Sequence, residues 1–136
     1  MVVLTVGVFD LLHFGHFELL RRARELAGPG GSLTVAVQRD DFVTRYKPQA
    51  QLVYDFETRC KMVASLRDVD KVVPYEDIDR SITKIPFDVF VLGGDQVHSG
   101  FIRAVEWCRS NGRRVIRLPR TAGISSSKLR HNGLCM

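Results

Sequence analysis

Five short apolar runs along the chain predict β-strands, and the segments between them carry the spacing of helices. The first and fourth runs are almost entirely apolar, which is typical of strands covered on both faces. The predicted strands span 2–8, 33–37, 71–74, 87–92 and 115–118. Strands that alternate with helices favour parallel pairing through right-handed crossovers. The pattern therefore predicts a single α/β domain over residues 1–136, with a five-stranded parallel sheet and helices on both faces.

Apolar residues at helical spacing predict the helices. Segment 12–26 buries one stripe, with basic residues opposite, and ends at the sequence GPGG that follows. Further helices are predicted over 55–66, 77–84, 101–110 and 125–130. Segment 42–54 has no clear period, so we expect a short helix followed by a mobile loop.

Composition and charge limit the classes of function. The 136 residues are 45% hydrophobic and carry a net charge of +5. The basic residues are spread along the chain without interleaved aromatic residues, so they fit a small polyanionic substrate, and we expect no nucleic-acid partner. No apolar stretch reaches about 18 residues, which predicts no membrane span. The three cysteines lack CxxC spacing and indicate reduced thiols in a cytoplasmic protein.

The turn after the first strand carries the most distinctive chemistry. Asp10, His13 and His16 follow an apolar strand directly, with Gly15 between the histidines. The N-terminus of a helix presents backbone N–H groups and a dipole that favour anions, and imidazoles donate hydrogen bonds to phosphate oxygens. A lone histidine here more often caps the helix or lies on the surface. Two histidines in this context indicate a phosphate site.

Other polar segments follow the remaining strands. Parallel sheets bind ligands beyond the carboxyl ends of their strands. Asp10 and the histidines should therefore meet Arg39 and Asp40, residues 93–95, and the start of the segment after the fifth strand. No GxGxxG follows the first strand and no GxxxxGK[ST] occurs, so a dinucleotide cofactor and a P-loop are not indicated.

Two motifs carry a resemblance to a known family. His13-Phe14-Gly15-His16 resembles the HxGH signature of the nucleotidyltransferase superfamily, and the wider string GVFDLLHFGH resembles its cytidylyltransferase branch. Near the other end, RTAGISSSK is similar to the RTxGISTT segment of that branch, with Ala122 where the family often has Glu. The resemblance covers nearly the whole chain and implies a Rossmann-like domain.

The resemblance also implies a set of site residues. His13 and His16 would contact the α- and β-phosphates of a nucleotide, and Lys47 and Arg120 would hold the β- and γ-phosphates as further catalytic residues. Arg45 could share the role of Lys47. The residues expected to bind the nucleotide are Gly7, Val8, Phe9, Asp10, Gly15, Gly93, Gly94, Asp95, Arg120, Thr121, Gly123, Ile124, Ser125 and Ser126.

The remaining expectations concern the metal, the acceptor and nearby side chains. Family members use Mg²⁺ with the triphosphate, and Asp10 would either help to organise that region or fix a loop. Arg59 is the expected ligand of the acceptor's phosphate. His98 could meet either substrate, although a surface histidine is the simpler interpretation.

The implied function is transfer of CMP from CTP to a phosphorylated alcohol, with release of pyrophosphate. Glycerol 3-phosphate is the favoured acceptor, because short single-domain members resemble that branch. An adenylyltransferase of the same fold, of the archaeal FAD synthetase type, and a nucleotide-binding module without turnover remain alternatives. The segment RDVDKVV resembles one that often forms the dimer contact, so we also expect a homodimer through Val69, Val72 and Val73.

Overall fold

The strands of the sheet form where branched apolar residues run together, as the sequence predicts. In the computed structural model, which describes residues 1–119, the strands are β1 (Val2–Gly7), β2 (Ser32–Gln38), β3 (Lys71–Tyr75), β4 (Val89–Gly93) and β5 (Arg114–Leu118). All neighbouring pairs are parallel, in the order β3-β2-β1-β4-β5. The predicted five-stranded parallel sheet is confirmed.

Helices cover both faces of the sheet, as expected from strands that are apolar on both sides. They are α1 (Phe14–Ala27), α2 (Asp40–Tyr46), α3 (Phe56–Ala64), α4 (Ile78–Ser81), which continues as a 3₁₀ turn (Ile82–Lys84), and α5 (Ser99–Ser110). One buried cluster joins α1 and α3 to the sheet, and a second joins α4 and α5 to it. No helix within residues 1–119 is long and apolar enough to cross a membrane.

Several boundaries differ from the sequence prediction by one or two residues, and side-chain contacts explain the following two. Helix α5 begins at Ser99, two residues early, because the His98 side chain accepts a hydrogen bond from the Gly100 N–H and caps the helix. The fourth strand begins at Val89 because the Asp88 carboxylate turns back to accept the Val2 N–H at 2.8 Å. The helix predicted over 125–130 lies outside the described residues.

The strand order creates the position of the site. From β1 the chain builds outward through β2 to β3, and then returns to the other side of β1 for β4 and β5. The connections therefore diverge beyond the carboxyl ends of β1 and β4. Such a switch point leaves a crevice between the two diverging loops, which is where open α/β sheets bind ligands.

Candidate active site

Helix α1 starts on a pair of histidines that cap it reciprocally. His13 is the N-cap, and its Nδ1 accepts the Gly15 N–H at 3.0 Å. The His13 N–H in turn donates to Nδ1 of His16 at 3.3 Å, and the two rings stack with centroids 4.0 Å apart. This is a capping box made from two imidazoles. Since both Nδ1 atoms accept hydrogen bonds, the proton of each neutral ring lies on Nε2.

The electrostatics of His16 keep it neutral near pH 7. Burial lowers its pKa to about 4, with a further contribution from His13 that Asp95 partly offsets. A neutral ring with its proton on Nε2 is a hydrogen-bond donor whose strength grows when negative charge develops beside it. The turn therefore presents imidazole donors at the positive end of the dipole of a 14-residue helix.

The strand that leads into this turn is shaped around one aromatic ring. Phe9 adopts a left-handed φ of 55°, and its ring meets the edge of His16 at 5.3 Å between centroids. A Cβ on Gly7 would lie 2.8 Å from the Phe9 ring, so any larger residue there would have to displace the ring. Gly7 thus makes room for a neighbouring side chain, a role that the motif alone does not reveal.

A cavity of about 1150 Å³ opens beyond the ends of β1 and β4. It contains most of the residues that the sequence singles out in the described part of the chain. These are Gly7, Val8, Phe9, Asp10, His13, Gly15, His16, Lys47, Gly93, Gly94 and Asp95. Residues from segments more than 80 positions apart therefore line one space, as expected for the ends of parallel strands.

Comparison with known proteins agrees with this geometry. The model of the cytidylyltransferase-like family matches residues 4–132. The chain belongs to this family. The prediction of a nucleotidyltransferase is thereby confirmed, and the two histidines, the cavity and the switch point are parts of a cytidylyltransferase-like domain.

Individual relatives differ in the substrates that their names carry. Glycerol-3-phosphate cytidylyltransferase of Staphylococcus aureus is 39% identical over 94% of this chain and 91% of its own length. FAD synthase of Korarchaeum cryptofilum is 36% identical over 93% of this chain and 87% of its own. Among solved structures, a lipopolysaccharide core biosynthesis protein from Thermoplasma volcanium matches with a TM-score of 0.70 and 25% identity, covering 89% of this chain and 96% of that one.

A glutamine that the sequence analysis did not single out joins the two strands at the switch point of this cytidylyltransferase-like domain. Gln96 donates through Nε2 to the Val6 carbonyl at 2.8 Å, and its Oε1 accepts the Gly93 N–H at 2.9 Å. Arg117 of β5 donates to the carbonyls of Gly93 and Gln96 from outside. The loop over 93–95 is therefore held in place on both sides, with Gly94 and Asp95 left facing the cavity.

The two basic candidates at the end of α2, Arg45 and Lys47, have different surroundings. Lys47 lines the cavity, whereas Arg45 is not among its lining residues and places its guanidinium over the Phe42 ring at 4.3 Å. The structure thus brings Lys47, and not Arg45, to the site.

Asp10 holds a loop. It is 3% exposed, and its carboxylate accepts the N–H groups of Val53 and Tyr54, each at 2.8 Å. Of the two roles that the sequence leaves open, this geometry is that of the loop-fixing carboxylate. Within residues 1–119 no group of three or more His, Cys, Asp or Glu side chains could hold a metal ion.

Arg59 is not brought to the cavity, which corrects its expected contact with the acceptor's phosphate. Its side chain is fully buried, and it donates to the carbonyl oxygens of Val8 at 2.7 Å and Tyr54 at 3.2 Å. Its remaining nitrogen pairs with the Asp40 carboxylate at 2.5 Å. A buried guanidinium is stable only with such partners. Arg59 thus ties together the loops around the site from behind.

The predicted nucleotide-binding residues of the C-terminal motif lie outside the described residues. They are Arg120, Thr121, Gly123, Ile124, Ser125 and Ser126. Leu118 and Pro119, which end the described chain, line the cavity. The two cysteines in the described region are unsuited to nucleophilic work, because burial raises the pKa of both thiols, that of Cys108 to about 11.

Proposed function

We propose that this protein transfers CMP from CTP to a phosphorylated alcohol, glycerol 3-phosphate being the favoured acceptor, and releases pyrophosphate. The observation that carries the proposal is the imidazole capping box, which directs two fixed donors to the start of α1 inside a cavity large enough for both substrates. The likeness to a glycerol-3-phosphate cytidylyltransferase over 94% of the chain supports the choice of nucleotide and acceptor.

The proposed reaction is a single displacement at phosphorus. A phosphate oxygen of the acceptor forms a bond to the α-phosphorus, and the bond from that phosphorus to the oxygen bridging to the β-phosphate breaks. The electron pair of the broken bond leaves with pyrophosphate. Such reactions ask the protein mainly for alignment and for stabilisation of charge on the transferring group.

His13 and His16 supply that stabilisation in the proposal. Their Nε2–H groups donate to oxygens of the α- and β-phosphates as charge moves toward the leaving group. Because Nδ1 of each ring is occupied by a backbone N–H, the donors need little reorganisation during the reaction. Lys47 provides a permanent positive charge for the β- and γ-phosphates. Gly93, Gly94 and Asp95 would face the base and ribose, and the C-terminal motif would complete the triphosphate site.

In this proposal Mg²⁺ binds together with CTP. The ion prefers octahedral oxygen coordination and is commonly held through substrate phosphates and water. The hydrogen bonds that the Asp10 carboxylate accepts from the N–H groups of Val53 and Tyr54 fit a metal that arrives on the nucleotide. When bound, it would neutralise part of the charge of the triphosphate.

Transfer of AMP is the second candidate, and the similarity to an archaeal FAD synthase over 93% of the chain favours it. The two candidates share the histidine turn and differ in the base and the acceptor. Pyrophosphate release should therefore be measured for CTP, ATP, GTP and UTP against glycerol 3-phosphate, phosphocholine and FMN, with products identified by mass spectrometry. We expect turnover with CTP and glycerol 3-phosphate. Turnover confined to ATP and FMN would overturn the choice of substrates.

Matched histidine variants test the catalytic role separately from folding. His16→Gln keeps an acceptor for the His13 N–H, since glutamine is a normal partner in a capping box, and His13→Asn keeps an N-cap. Each variant replaces the imidazole Nε2–H donor by an amide N–H₂ group that is differently placed in the site. We expect kcat to fall on the order of a hundred- to a thousand-fold with little change in nucleotide affinity. Near-normal turnover in both folded variants would show that the histidines only cap the helix.

A further inference from the structure

Aromatic side chains join α2 to α5 across the cavity. The ring of Tyr46, the last residue of α2, stacks on His98 with centroids 5.4 Å apart and planes 14° apart. The His98 ring also packs on Phe101 at 4.5 Å, and all three side chains line the cavity. Since α2 follows β2 and α5 follows β4, which flank β1, this contact bridges the space beyond the end of β1.

Each ring of the Tyr46–His98 stack is anchored independently. Nδ1 of His98 accepts the Gly100 N–H at 3.1 Å, which fixes the imidazole at the start of α5. A Cβ at Gly100 would lie 2.9 Å from that ring, so the seat requires glycine. The Tyr46 hydroxyl donates to the carboxylate of Asp77 at the start of α4. The stack is therefore a defined contact between two anchored groups.

Lys47 follows the stack directly. Its N–H donates to the Val43 carbonyl at 2.9 Å and closes the last turn of α2, and the residue lines the cavity. The pKa of His98 is lowered, by burial first and then by the positive charge of Lys47. The other end of α2 is held by Asp40, which accepts from Arg59 and from the Phe56 N–H.

We propose that the Tyr46–His98 stack is a latch that fixes the end of α2 and thereby positions Lys47 for an anionic ligand. Tyr46 and His98 are positioning residues here, because they act through Lys47. The nature of the anion, a nucleoside triphosphate, rests on the proposed function, but the latch itself does not. It also accounts for a tyrosine and a histidine at the rim that the CTP-transfer mechanism does not use.

Four variants separate the stack from its anchors. Tyr46→Ala and His98→Asn remove the stack, and the asparagine retains the N-cap of α5. Tyr46→Phe and His98→Phe keep two facing rings, but lose the hydroxyl bond and the cap respectively. An aromatic pair of this kind is worth roughly a three- to tenfold change in an equilibrium. We expect the first two variants to raise KM for CTP about three- to tenfold with kcat nearly unchanged, and the two phenylalanine variants to raise it less than about twofold.

A second measurement, hydrogen exchange of the ligand-free protein, tests the latch without turnover. Removing the stack should accelerate exchange of the Lys47 amide about three- to tenfold in Tyr46→Ala and His98→Asn, but not in the phenylalanine variants. If the wild type does not use CTP but the variants show this exchange pattern, the proposed function is wrong and the latch is supported. Unchanged exchange and KM in Tyr46→Ala, or equal effects of His98→Asn and His98→Phe, would overturn the latch.

Discussion

At the scale of single residues, each histidine of the turn performs two tasks with its two ring nitrogens. Nδ1 accepts a hydrogen bond from a backbone N–H at the start of the helix. The ring proton therefore lies on Nε2, which is the donor. A helix cap and a catalytic donor are usually treated as competing interpretations of a histidine. Here the cap sets the tautomer and orientation of each ring, which is what the proposed catalytic role requires, so the two interpretations are compatible.

The lowered pKa of His16 makes stability depend on pH. Its pKa is about 4 in the folded protein and near 6.5 in an unfolded chain, so the unfolded state binds more protons between these values. The free energy of unfolding should therefore fall by up to about 3 kcal/mol as the pH drops from 6.5 to 4. It should recover when the pH is raised again. Urea unfolding across this range measures the effect. His16→Gln should flatten the profile, and an unchanged slope in that variant would assign the effect to other groups.

At the scale of elements, a short helix and the loop after it are held by charged side chains from several parts of the chain. The Asp10 carboxylate accepts the N–H groups of residues 53 and 54. Arg59 donates to the carbonyl oxygens of Tyr54 and Val8 and to the Asp40 carboxylate. Helix α2 has only seven residues, too few to be stable by itself. Its position relative to the cavity therefore depends on these contacts and on the Tyr46–His98 stack.

Replacing the buried arginine tests this account against a direct role in acceptor binding. Arg59→Met leaves the Asp40 carboxylate and two carbonyl oxygens without their donor, and we expect a loss of about 3 kcal/mol in unfolding free energy. Asp40→Asn keeps an acceptor at a half-exposed position and should cost about 1–2 kcal/mol. Urea denaturation gives both values. A stable Arg59→Met protein that had selectively lost affinity for the phosphorylated acceptor would restore the ligand role.

At the scale of the whole molecule, the order of the strands decides which residues meet. β1 and β4 are neighbours although more than 80 residues separate them, and their loops enclose the cavity. β3 forms one edge of the sheet within the described residues. The half-buried Val69 and Val72 pack against the cluster of α1 and α3, and Val73 packs against the other cluster.

The homodimer predicted through this edge remains a prediction, and light scattering tests it. We expect a mass of twice the 15.4 kDa of the chain at micromolar concentration, through a two-fold contact along β3 and the segment before it. Because the three valines are partly used inside each subunit, such a contact would also engage the exposed Arg67 and Lys71. A mass of one chain across a dilution series would contradict the dimer.

The sequence by itself determined the class of fold, the positions of the strands and the histidine turn. These features depend on local patterns: runs of branched apolar residues, and a motif of four consecutive positions whose helix-starting geometry is built from neighbours. Lys47 is different, because the family resemblance and not a local pattern predicts it, and the structure brings it to the cavity.

Tertiary structure alone decided the roles of Arg59, Asp10, Gly7, Gln96 and His98. Each of these roles depends on a partner far along the chain or on a ring that only the folded backbone brings close, such as Val8 for Arg59 and Tyr46 for His98. An exposed arginine and a buried one look the same in a sequence, because burial is set by the packing of elements and not by the residue's neighbours. Charge and residue type indicate that a group can bind phosphate, but only the fold determines whether its donors are already used.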